Sequence, residues 1–114
     1  MSIILRTLLS FEEGGVEQLK DITEHWVAAT RSEEGVVAFH GFMDVEGGKL
    51  IFLEHYRDSE AFIIHRDLVS ADLRAELYSL AKFESLEIYG DPSEEMENAL
   101  AAAGARVFNH VASR

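Results

Sequence analysis

Glu54, Tyr56 and His65 place a carboxylate, a phenol and an imidazole within one stretch, Phe52 to His65, whose other residues are largely apolar. These are groups for moving protons. A neutral imidazole titrates near physiological pH and can serve as a base. A carboxylate between Phe52 and Tyr56 on one strand face has either a raised pKa or a partner such as Arg6, Arg57 or a histidine. The Tyr56 phenol can donate a hydrogen bond to an oxygen of a bound molecule. Each also has a structural alternative: His65 as a capping or surface imidazole, Glu54 as a partner of the backbone or of a second subunit, Tyr56 as an edge aromatic.

Other chemistries find less support. There are no cysteines, which removes thiol nucleophiles, disulfides and thiolate metal sites. His40 and His55 are expected to face each other across a hairpin, but two imidazoles without a third ligand do not make a metal site, and no metal is expected. His25 and His110 have no distinctive spacing. Gly14-Gly15 and Gly47-Gly48 read as turns and not as phosphate-cradling loops. Ten Lys and Arg against 21 Asp and Glu give a net charge of -11, which repels a phosphate backbone or an anionic membrane, so no nucleic-acid or membrane partner is implied. The acidic sets Glu12, Glu13, Glu17, Asp21, Glu24 and Glu94, Glu95, Glu97 read as solvated helix faces.

With 47% hydrophobic residues and one proline in 114 residues, the composition is that of a single folded domain, 1–114. Residues 2 to 9 are too short an apolar run for a secretory leader, lack a basic start and are followed by Glu12 and Glu13, so a cytoplasmic protein is expected. They read as the first strand. Val16, Leu19, Ile22, Trp26 and Ala29 recur at helical spacing and predict a helix to about Ser32. Val36 to Val45 and Lys49 to Tyr56 predict a hairpin about Gly47-Gly48, pairing Phe42 with Leu53, Gly41 with Glu54 and His40 with His55. Asp58 or Ser59 caps a helix carrying Ala61, Phe62 and His65, which breaks near Arg66 to Ser70. Ser70 caps a further segment, with Leu73, Leu77 and Leu80 inward, up to about Lys82. Ser85 to Tyr89 predicts a strand. Asp91-Pro92-Ser93-Glu94 starts a last helix, with Asp91 as cap and Pro92 in its first position, Gly104 ends it, and Ala105 to Val111 predicts a final strand.

This order is an α+β, ferredoxin-like β-α-β-β-α-β sandwich with a C-terminal helix and strand extension. The first and third strands are apolar on both faces. Helices cover only one face of such a sheet, so the other is expected to meet a second sheet.

The run Glu54-His55-Tyr56, then Asp58-Ser59-Glu60-Ala61-Phe62 and His65 one turn later, together with Thr30-Arg31-Ser32-Glu33-Glu34-Gly35 leading from helix to strand, resembles the antibiotic biosynthesis monooxygenase family. The resemblance covers most of the chain. It implies a homodimer in which two sheets form a dimeric α/β barrel, and a pocket between sheet and helices in each subunit. It also implies oxygenation of a small phenolic or quinol-type aromatic by dioxygen with no cofactor, neither metal nor flavin. On this reading His65, Glu54 and Tyr56 carry the chemistry, and Trp26, Phe39, Phe42, Phe52 and Phe62 line the substrate pocket, although core packing is the ordinary role of such aromatics. A related haem-degrading group uses a first-strand asparagine and a second-helix histidine; here the first strand has no asparagine and Ala75 stands near the histidine position. The alternative from another class is a non-catalytic dimeric barrel that binds a small hydrophobic metabolite.

Overall fold

The computed structural model describes residues 1–114. Five strands form one sheet in the order β2-β3-β1-β4-β5: β1 (Ile3–Phe11), β2 (Val36–Asp44), β3 (Lys49–Tyr56), β4 (Ala81–Tyr89) and β5 (Arg106–Phe108). The first four are antiparallel in ferredoxin-like order, and β5 adds in parallel to β4. The helices α1 (Val16–Ala29), α2 (Ser59–Leu68), α3 (Ala71–Leu80) and α4 (Glu94–Leu100) complete the α+β arrangement. None is long and apolar enough to cross a membrane.

Local sequence accounts for most element ends. α1 buries Leu19, Ile22 and Trp26 and passes into a 3-10 turn at Thr30–Ser32. The Asp58 carboxylate accepts from the Ala61 amide at 2.9 Å and starts α2; the Ser70 hydroxyl accepts from the Leu73 amide at 3.3 Å and starts α3. Such caps satisfy amides that the first helical turn leaves without backbone partners.

Three expectations are corrected. The hairpin pairs Asp44 with Lys49 and Phe42 with Ile51, so His40 faces Leu53, His55 faces Ala38, and the two imidazoles do not meet. The physical reason is the turn: Asp44 Oδ1 accepts from the Gly47 amide at 3.0 Å, enclosing residues 45 to 48 in the loop, and Gly48 takes φ +64° while its carbonyl accepts from the Phe11 amide. The chain becomes extended at Ala81, before Lys82, because Ala81 already pairs with Phe11. Thirdly, the cap of α4 is Ser93, whose hydroxyl accepts from the Met96 amide, so Pro92 precedes the helix; Asp91 instead accepts from Asn109.

The helix-facing side of the sheet carries two apolar clusters. One joins Leu9 and Leu50 to Leu19, Ile22 and Trp26 of α1 and Leu77 of α3. The other joins Ile3, Leu5, Tyr56 and Ile88 to Phe62 of α2 and Met96 of α4. On the opposite face Ile4, Leu8, Ile51 and Leu53 are only half-buried and Phe42 is 54% exposed. The doubly apolar strands thus leave one face without a covering layer.

Candidate functional site

Between the two clusters the inward row of the sheet turns polar. Leu5 and Leu9 flank Thr7 on β1, and Phe52 and Tyr56 flank Glu54 on β3, with Leu5 beside Glu54 and Thr7 beside Phe52. At this seam lies a cavity of about 320 Å³, lined mainly by apolar side chains from the sheet, all of the helices and the turn after α4. Leu5, Phe62, Leu86 and Trp26 supply hydrophobic wall, and Thr7, Glu54 and His65 the inner polar groups.

His65 is placed by its position one turn beyond Phe62 on the buried face of α2. Its Nδ1 lies 2.9 Å from Oε1 of Glu33, and both side chains are nearly buried, at 6% and 8% exposure. A carboxylate oxygen only accepts, so Nδ1 carries the proton of this contact, while Nε2 has no hydrogen-bond partner in the protein. The Phe39 and Tyr56 rings pack against the imidazole at centroid distances of 5.4 and 5.6 Å. The contact with Glu33 orients the imidazole, and His65 lines the cavity.

Glu54 is 8% exposed and accepts a hydrogen bond from the Tyr56 hydroxyl. Burial pushes its carboxyl up from 4.5 to about 7, against the opposing effect of hydrogen bonds from Tyr56 and Thr7. Tyr56 is fully buried, and burial with the neighbouring Glu54 charge raises its hydroxyl pKa. Tyr56 does not line the cavity; it holds Glu54. The indole Nε1 of Trp26, a cavity residue, is buried without a hydrogen-bond partner. An unmet buried donor costs about 1–3 kcal/mol.

Of the other aromatics expected at the pocket, Phe62 lines it. Phe39 and Phe52 are buried behind it, Phe52 at 5.7 Å from the Trp26 ring. Phe42 is on the far face of the sheet, because strand alternation sends Phe39, Gly41 and Met43 toward the helices and Phe42 the other way. Glu33, Arg66, Arg74 and Tyr78 were not expected at the site. Only Glu33 had a sequence signal, its place in the Thr30–Gly35 run. No three acidic or imidazole side chains converge as a metal-binding group.

Residues 2–71 match the family model described as antibiotic biosynthesis monooxygenase. A comparison with curated protein sequences gives no match. Among solved structures, MupZ from Pseudomonas fluorescens is similar with TM-score 0.87 and 20% identity, over 99% of this chain and 94% of that one. Rv0793 from Mycobacterium tuberculosis gives TM-score 0.68 and 19% identity, over 82% and 98% of the two chains. A Bacteroides thetaiotaomicron protein of unknown function gives 0.67 and 20%, over 76% and 94%. At these identities the likeness is one of fold. The family match spans more than half of the chain and includes Glu33, Glu54 and His65; the chain belongs to the antibiotic biosynthesis monooxygenase family.

Proposed function

We propose that this protein is a monooxygenase that inserts oxygen from dioxygen into a small phenolic or quinol-type aromatic without metal or flavin, working as a cytoplasmic homodimer. The observation that carries this reading is the Glu33–His65 pair beside an apolar cavity, because substrate-driven oxygenation needs a proton removed from the substrate in a dry setting.

In the proposed reaction His65 Nε2 takes the phenolic proton, and the imidazolium is held by Glu33. The electron-rich phenolate reduces dioxygen and a carbon–oxygen bond forms at the ring, giving a peroxide. Glu54, with a pKa of about 7, supplies a proton to the outer peroxide oxygen as the O–O bond breaks. The ring loses its hydrogen at that carbon and becomes a quinone. One oxygen atom stays on carbon, the other leaves as water with the two hydrogens lost by the substrate, and the substrate supplies all four electrons. The Trp26 ring walls the substrate, and Tyr56 fixes Glu54.

The homodimer is proposed to form through the uncovered face of Ile4, Leu8, Phe42, Ile51 and Leu53. The test is oxygen uptake by metal-stripped, colourless protein with a panel of hydroquinones and phenols. Stoichiometric oxygen consumption with quinone formation supports the enzyme; saturable binding with no uptake would replace it with the binding-module reading.

A further inference from the structure

We propose that the cavity selects a ligand with an anionic arm, carboxylate or phosphate, held at its outer end by Arg66 and Arg74. This rests on the cavity being the ligand site, but not on the oxygen chemistry assigned to it. The chain carries 21 acidic against 10 basic residues, and of its lysines and arginines only Arg66 and Arg74 line the cavity. Arg6 pairs with Glu87, Lys20 with Glu17 and Arg57 with Asp58, whereas neither Arg66 nor Arg74 forms an ion pair. Both are exposed, and both line the same cavity as the buried Glu54 and His65.

Their placement follows from the break between α2 and α3. Arg66 is in the last turn of α2, one residue past His65, and Arg74 is in the first half of α3. Arg74 Nη2 donates to the Arg66 carbonyl at 3.3 Å, which holds its guanidinium across the break and leaves its other N–H groups unused. Guanidinium N–H groups match the oxygens of a carboxylate or phosphate. The cavity is thus graded: the polar groups of Glu54 and His65 within, apolar wall between, and two free guanidinium groups at the exposed end. A small aromatic with an oxygen on the ring and an acidic side arm satisfies all three. Arg74 lies beyond residue 71, outside the segment that matches the family model.

The experiment uses the full chain and four probes: 3-(4-hydroxyphenyl)propionate, its neutral amide, 2-(4-hydroxyphenyl)ethyl phosphate and the parent alcohol. Binding is followed by calorimetry and by the fluorescence of Trp26, the single tryptophan. An acid is expected to bind about tenfold or more tightly than its neutral counterpart at low salt, as a charge-assisted hydrogen bond allows. Added salt should weaken the acid alone. R66Q/R74Q should abolish the preference by weakening the acid probes, and R106Q, at an exposed arginine that does not line the cavity, should retain it. Which acid is preferred identifies the anion. Equal affinity of acid and neutral probes, persistence of the preference in R66Q/R74Q, or no binding of any probe overturns the proposal. Oxygen uptake is recorded separately: acid-selective binding without uptake keeps the arginine site and removes the oxygenase reading, while uptake without acid selectivity does the reverse.

Discussion

His65 Nδ1 lies 2.9 Å from Glu33 Oε1, joining α2 to the loop before β2 across 32 residues of chain. The contact fixes both the tautomer and the aim of the imidazole. In E33Q the amide keeps the shape but no longer stabilises the imidazolium formed on proton transfer. Turnover is expected to fall about 10- to 100-fold, below the full loss of a positioned base, with KM little changed. Steady-state kinetics check this; an unchanged kcat would show that Glu33 only packs the loop.

Glu54 makes folding stability pH-dependent. Its carboxyl titrates at about 7 in the folded chain and near 4.5 when unfolded. Between these values the folded state keeps a proton that the unfolded state has lost, so this contribution to stability is full below pH 4.5 and is lost as pH rises through about 7. The interval corresponds to about 3 kcal/mol at about 1.4 kcal/mol per pH unit. E54Q, which stays neutral and can still accept from Tyr56, should remove that slope. Urea denaturation of both proteins from pH 4.5 to 8 reads it; parallel curves would place the Glu54 carboxyl in water.

Gly35 sets how closely α2 approaches the Glu33 loop. A Cβ there would sit 2.5 Å from the Cβ of Ala61, and the Gly35 carbonyl accepts from the Arg57 amide at 2.8 Å. G35A is expected to push α2 outward, costing about 1–3 kcal/mol and separating His65 from Glu33. A lower Tm together with reduced turnover is the expected pair of results. A variant of native stability and activity would show that the helix shifts freely.

The uncovered sheet face predicts an interface of roughly 2,000 Å² or more in total. Leu53, central on that face between Arg6 and His40, is the residue to charge. L53D should convert a dimer to a monomer in sedimentation equilibrium. A wild-type chain that is monomeric at micromolar concentration would contradict the proposed assembly.

Much of the fold was legible because local signals and periodicity agreed. Leu19, Ile22 and Trp26 mark the inward face of α1, and Asp58 and Ser70 cap the next two helices. The hairpin register was not, since it depends on one side chain, Asp44, capping the turn. The start of β4 was hidden by Glu84, an extra residue that puts Ala81 and Phe83 on the same face as Leu86 and Ile88 and so breaks the alternation. At the site, His65 was readable from its spacing after Phe62. Glu33 carries no sequence signal beyond its place in a motif, because its partner is distant in sequence. Arg66 and Arg74 looked like ordinary solvated helix positions until the break between α2 and α3 brought them together. Phe42 shows the opposite error, in which the family resemblance implies a pocket aromatic but strand parity sends it to the other face.

In the proposed reaction His65 deprotonates an aromatic substrate so that dioxygen can attack it. Single turnover under ¹⁸O₂ with the best phenol or hydroquinone, comparing wild type with H65A, tests this most directly. The wild-type product should carry one ¹⁸O atom with the second in water. H65A should form the same product about 10² to 10⁴ times more slowly while remaining a folded dimer. A product whose new oxygen comes from solvent, or an H65A variant that labels its product at the wild-type rate, would contradict the account.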